Sequence, residues 1–110
     1  MTPEGRVKAK VKRTLTDHGA YWLCPVQNGM GAPGLDFMHV QVLGCPVFAI
    51  ETKAPGKKLT ARQERTVAAI RAAGGTVFII DGNLKELENW IIKYRLLNTI
   101  PTGPLKSTGP

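Results

Sequence analysis

Three charged residues flank a short apolar segment of this 110-residue chain. In GLDFMHVQVLGCPVFAIETK, Gly34 to Lys53, Asp36 stands near the start and Glu51 and Lys53 stand at the end. Glu51 and Lys53 are two apart, so on a strand they share a face, with Ile50 and Thr52 facing the other way. The segment reads as two strands, Leu35 to Leu43 and Val47 to Lys53, around Gly44-Cys45-Pro46. A two-residue turn at Gly44-Cys45 would set Asp36 opposite Lys53 and Met38 opposite Glu51, which gathers the three charges on one face. Two carboxylates held close in a partly buried place repel each other, and a divalent cation removes that cost. All-oxygen ligands suit Mg²⁺ or Mn²⁺. Such an ion activates water and stabilises charge on a phosphoryl group, and a lysine alongside can hold the water or neutralise the transition state. These residue types at this spacing point to metal-assisted phosphodiester hydrolysis.

The flanking sequence supplies elements that could position the three groups. Thr2-Pro3-Glu4 reads as a helix start, with Thr as N-cap, Pro in the first helical position and an acid in the first turn. The helix is expected to reach about Asp17 and to end at Gly19, with Val7, Val11 and Leu15 as its apolar stripe and Lys8, Lys10, Lys12 and Arg13 on the rest. Glu4 precedes Val7 by three residues, which aligns it with the apolar stripe. Ala20 to Val26 (AYWLCPV) reads as a strand, with Pro25 marking an edge or bulge. Gln27 to Gly34 reads as a loop.

After the hairpin, Ala54 to Lys58 (APGKK) forms a basic turn, and Thr60 caps a second helix that ends at Gly74-Gly75. Thr76 to Asp81 (TVFIID) is an almost wholly apolar strand, expected to be buried on both faces and to pair in parallel across a βαβ unit. Asn83 and Glu86 suggest a capping box for a third helix, with Leu84, Leu87, Ile91, Tyr94 and Leu97 along one side. The predicted order is α-β-β-β-α-β-α, an α/β domain over residues 1–98 with a mixed central sheet flanked by helices. Residues 99–110 form a Pro- and Gly-rich tail expected to be disordered.

Composition narrows the class. Fifteen Lys and Arg against eight Asp and Glu give a net charge of +7, which favours a polyanionic partner, nucleic acid first. The chain has no apolar run of about eighteen residues, so no membrane span is expected. Its first residues lack the apolar core of a signal peptide. Cys24 and Cys45 lie in apolar surroundings and read as reduced, buried thiols, which suits a cytoplasmic protein. The absence of clustered Cys and His speaks against a zinc site.

Taken together, the motifs are similar to a known family. GAPGLD (Gly31 to Asp36) followed by AIETK (Ala49 to Lys53) resembles the PD-(D/E)XK nuclease motif. With Glu4 in the first helix, APGKKLTARQ after the lysine and AAGGTVFIID after the second helix, residues 1 to 92 resemble the VRR-NUC domain, the virus-type replication-repair nuclease branch. The family often places Pro directly before the Asp, whereas the order here is Pro33-Gly34-Leu35-Asp36.

The resemblance implies a small restriction-endonuclease-like fold and a Mg²⁺- or Mn²⁺-dependent endonuclease acting on DNA. By it, Asp36 and Glu51 would bind the metal with the Thr52 carbonyl, and Lys53 would position the water. Glu4 would reach the site directly or through metal-bound water, and Gln63 would sit beside it. Stand-alone members are similar to Holliday-junction resolvases and act as homodimers, so branched DNA is the expected substrate and a phage origin would fit.

Other readings stay open. Glu4 also suits the positive end of the helix dipole, and Gln63 also suits position N3 of a capping box with Thr60. Lys57, Lys58, Arg62 and Arg65 could contact phosphates or form a solvated turn. His18 and His39 read as structural, and Trp90 and Tyr94 as core or interface. The alternatives for the whole chain are an endonuclease that nicks duplex DNA without regard to structure, and a basic nucleic-acid-binding protein without catalysis. Only the last leaves the pairing of Asp36 with Glu51 and Lys53 unexplained.

Overall fold

Thr2 begins helix α1, Pro3–Asp17, as its position before a proline predicts, and its hydroxyl accepts the Gly5 N–H at 3.0 Å. The helix stops through hydrogen bonds from Gly19 N to Thr16 O and from Ala20 N to Leu15 O. Gly19 has the positive φ of 69° that this termination requires. The computed structural model describes residues 1–25 and 34–99 of the chain. The expected loop from Gln27 lies outside the described residues except for Gly34, as does the tail after Thr99.

The described elements after α1 are β1 (Tyr21–Leu23), β2 (Phe37–Gln41), β3 (Phe48–Thr52), α2 (Ala61–Ala72), β4 (Thr76–Ile80) and α3 (Lys85–Thr99). This is the predicted order. The four strands form one sheet in the order β1-β2-β3-β4, antiparallel at the first two junctions and parallel between β3 and β4. Helix α2 is the crossover of the expected βαβ unit.

Two apolar clusters hold the layers. Val7, Val11 and Leu15 of α1 and Leu87 and Ile91 of α3 pack with Phe37, Val40, Phe48, Ile50, Phe78 and Ile80 on one face of the sheet. On the other face Leu35, Ala49 and Val77 meet Val67 of α2, flanked by Leu59 and Ile70. Trp90 lies edge-on against Phe48 and Phe78, with ring centroids 5.0 and 5.3 Å away, so it belongs to the core. Val40, Phe48 and Ile50 are almost fully buried, and each places its side chain on the α1 and α3 side.

Several expectations need correction. The hairpin turn is centred one residue earlier than proposed: Cys45 N donates to Val42 O, and Gly44, with φ of 89°, takes the third turn position, where a positive φ is needed. The register moves with it. Phe37 pairs with Ile50 and Val40 with Phe48, with an irregularity between them, so Asp36 is not opposite Lys53, nor Met38 opposite Glu51.

The first strand ends at Leu23, ahead of Pro25, which has no N–H to continue a ladder. β4 is not buried on both faces: Ile79, on the edge strand, is 40% exposed in an open groove beside Leu59, Val67 and Ala68. Leu97 is likewise 56% exposed, on the last turns of α3. Asn83 caps α3 through the N–H of Lys85, not that of Glu86. Cys24 is exposed, whereas Cys45 is half-buried with its thiol directed at Ile91 O; both are free thiols. Among the described residues no helix is long and apolar enough to cross a membrane.

Candidate active site

The shifted register brings the charged groups together by a different route. Asp36 lies just before β2, where its backbone N–H donates to Glu51 Oε1 at 3.0 Å. Its side chain turns to the neighbouring residue of β3: Thr52 N donates to Asp36 Oδ2 at 3.0 Å, and the Thr52 hydroxyl donates to the same oxygen. Oδ2 is thereby committed to β3, while Oδ1 faces the Lys8 ammonium of α1 at 3.4 Å. Asp36 and Glu51 are thus adjacent, but their side chains are anchored separately, one by Thr52 and one by α2.

That second anchor is Gln63. The Thr60 hydroxyl accepts Gln63 N, and Gln63 Oε1 accepts Thr60 N, which completes the capping box of α2. The same side chain also works at the site. Its Nε2 donates to Glu51 Oε2 at 2.7 Å, and its Oε1 accepts the Lys53 ammonium at 3.1 Å. The two readings of Gln63 are therefore compatible in one conformation. Lys53 and Glu51 share the α2 face of β3, as their spacing predicts, and Gln63 sets the distance between them.

Glu51 is 3% exposed, and its carboxyl is pushed up to about 7. Burial is the main cause, the Asp36 charge adds to it and Glu4 contributes a little; the Asp36 N–H and Lys53 act in the opposite direction. Glu4 is thus close enough to be felt electrostatically. Among the described residues, however, no three acidic, His or Cys side chains come together as a metal-binding group, so Glu4 does not join Asp36 and Glu51 directly. No buried side-chain nitrogen or oxygen among the described residues lacks a hydrogen-bond partner.

Lys57, Lys58, Arg62 and Arg65 are exposed on the turn after β3 and on the first turns of α2. Lys57 N donates to Ala54 O across a turn with Pro55 and a positive-φ Gly56. His18 is the C-cap residue of α1, and His39 is hydrogen-bonded to Gln41 at 3.1 Å, both away from this cluster. One residue, Lys8, and one contact, that of Thr52 with the Asp36 carboxylate, were not foreseen. Lys8 could have been found from its place one turn after Glu4. The grip of the Thr52 N–H and hydroxyl on Asp36 depends on the register, for which the residues carry no local signal.

No family model matches the chain, and no curated protein matches it. A solved structure described as a VRR_NUC domain does. It shares 27% sequence identity with a TM-score of 0.66, over 86% of this chain and 99% of that one. The chain folds as a VRR-NUC domain.

Proposed function

We propose that this chain is a divalent-metal-dependent endonuclease that hydrolyses DNA phosphodiester bonds, with branched four-way DNA as the favoured substrate and a homodimer as the working form. One observation carries the chemistry: Asp36, Glu51, Lys53 and Gln63 form one hydrogen-bonded cluster where β3 meets α2. A nuclease of the PD-(D/E)XK type is what a VRR-NUC fold suggests.

The residues fit a hard cation. A buried carboxyl forced toward its neutral form and a second carboxylate already facing an ammonium both mark a place where positive charge is favoured. Asp36 Oδ1, Glu51 and the Thr52 carbonyl would hold Mg²⁺ or Mn²⁺, and Glu4 would act through water. Two carboxylates are enough, because Mg²⁺ keeps several waters and takes substrate phosphate oxygens. When bound, the ion supplies Lewis acidity and a water of lowered pKa. The chain's own residues do the rest. Lys53 holds the attacking water and faces the charge that develops on the phosphate. Gln63 restrains Lys53 and Glu51, and Thr52 restrains Asp36, so the site is ordered before substrate arrives.

The test is cleavage of labelled four-way junction, flap and linear duplex DNA in Mg²⁺, Mn²⁺ or EDTA, beside Lys53→Ala and Asp36→Ala. The expected result is metal-dependent, symmetric cutting of the junction, reduced at least about 10²-fold in either variant. Equal cutting of all three substrates would remove the structure preference. Wild-type rates in both variants would overturn the assignment of the site.

A further inference from the structure

We infer that the groove on the opposite side of α1 from the active site is a second phosphate-binding surface, which holds the sugar–phosphate backbone of DNA away from the reacting bond. This rests on the function proposed above and extends it to residues outside the nuclease motif. The groove, about 520 Å³ in volume, lies between α1 and the turns after β3 and β4; Arg6, Val7, Lys10, Arg13, Pro55 and Gly82 are among its lining residues. None of the residues that line it is acidic.

Arg6, Lys10 and Arg13 follow one another at four- and three-residue steps, so they form a row along one side of the helix. The row rises about 10 Å along the helix, so its three cations can contact more than one phosphate of a strand laid beside it. Lys10 Nζ donates to Gly82 O at 3.3 Å, which ties α1 to the turn after β4 and keeps the groove in shape. Among the described residues neither Arg6 nor Arg13 is in an ion pair; the ion pair of α1 is that of Lys8 with Asp36.

The position favours DNA over mere solvation of a charged face. Pro55 follows Lys53 by two residues, and Lys53 N donates to Ile80 O, so one wall of the groove continues from the strand that carries the proposed catalytic lysine. Helix α1 presents Lys8 to the active site and the Arg6–Arg13 row to the groove. A DNA strand leaving the reacting phosphate would cross the turn that bears Lys57 and Lys58 and continue into the groove. There, guanidinium groups can grip phosphate oxygens in pairs, and exposed Pro55 offers an apolar contact for the sugars.

The experiment measures DNA affinity of the full chain in Ca²⁺ over a range of salt, and steady-state cleavage in Mg²⁺. The variants are Arg6→Gln/Arg13→Gln, Arg6→Lys/Arg13→Lys and, as a control on exposed α3, Lys93→Gln, each checked for an unchanged melting temperature. The Gln pair is expected to weaken binding about tenfold and to flatten the slope of log affinity against log salt by about 1.8. KM should rise with kcat unchanged. The Lys pair keeps the slope, and Lys93→Gln changes neither quantity. Wild-type affinity and slope in the Gln pair would overturn the inference while leaving the nuclease intact. A fall in kcat at constant KM would also overturn it, by assigning the arginines to the reacting site. A wild-type chain that neither binds nor cuts DNA would end both readings.

Discussion

At the residue scale, Glu51 combines a cost and a function. Its ordinary carboxyl value of 4.5 is raised to about 7, mainly by burial and then by Asp36. Between those two values the folded chain holds a proton that the unfolded chain has released. Stability of the metal-free chain should therefore fall as pH rises from about 4.5 to 7, with the full cost present above 7. Thermal unfolding in EDTA at pH 5 and pH 8 checks this, and Glu51→Gln should flatten the difference. Divalent ions bind the ionised form, so their apparent affinity should rise over the same interval. Lys8 gives a second expectation. Its ammonium competes for Asp36 Oδ1. The pair is half-buried, with side chains 37% and 15% exposed, and is expected to reach the upper end of the range for solvent-screened pairs, about 1 kcal/mol, so Lys8→Ala should tighten Mn²⁺ binding in the absence of DNA by about fivefold, measured by calorimetry. Unchanged or weaker binding would mean that Lys8 does not screen the site.

At the element scale, α2 is both a scaffold and part of the site, and two substitutions separate these roles. Thr60→Ala removes the hydroxyl that accepts Gln63 N and should cost about 1 kcal/mol of stability while leaving Gln63 in contact with Glu51 and Lys53. Gln63→Ala should cost a similar stability but also lower cleavage about 10²-fold, because it frees the lysine and the carboxylate together. Equal cleavage losses in the two variants would show that only the cap matters. The other end of α2 is constrained by space: a Cβ on Gly75 would come within 2.5 Å of Ile70 Cγ2 and 3.0 Å of Ile70 O. Gly75→Ala is therefore expected to destabilise the fold by about 1–3 kcal/mol in denaturant unfolding.

The same elements show which features sequence could reveal. Helices α1 and α2 announce themselves through Thr2 and Thr60 at their starts and glycines at their ends, because caps are local chemistry. Burial of Val7, Val11 and Leu15 follows from their period, and the shared face of Glu51 and Lys53 follows from the alternation of a strand. The hairpin register was not accessible in this way. A glycine at position 44 is compatible with two turn placements, and choosing between them moves every partner of β2 by a residue or more. That is why the nearness of Asp36 to Glu51 could be expected but its attachment to Thr52 could not. The exposure of Ile79 and Leu97 likewise depends on how far the helices and the sheet overlap, which no periodicity encodes.

At the scale of the whole molecule, one cluster of Asp36, Glu51 and Lys53 can attack one phosphodiester at a time. Cutting two strands of a four-way junction at matched positions therefore requires either two copies of the chain or successive, independent visits by one. The homodimer proposed here has two sites related by a two-fold axis, which matches the symmetry of the junction. Mixing the wild-type chain with an excess of Lys53→Ala chain distinguishes these cases. The variant keeps Asp36 and Glu51 and so should enter mixed dimers that hold DNA but have one working site. As its share rises, paired incisions should disappear in favour of single nicks, faster than dilution of the wild-type chain alone predicts, when products are separated under native and denaturing conditions. If each chain acts alone, the excess variant only competes for DNA. Nicks would then precede paired cuts even with the wild-type chain alone, and the variant would slow both steps alike, whereas mixed dimers turn paired cuts into nicks.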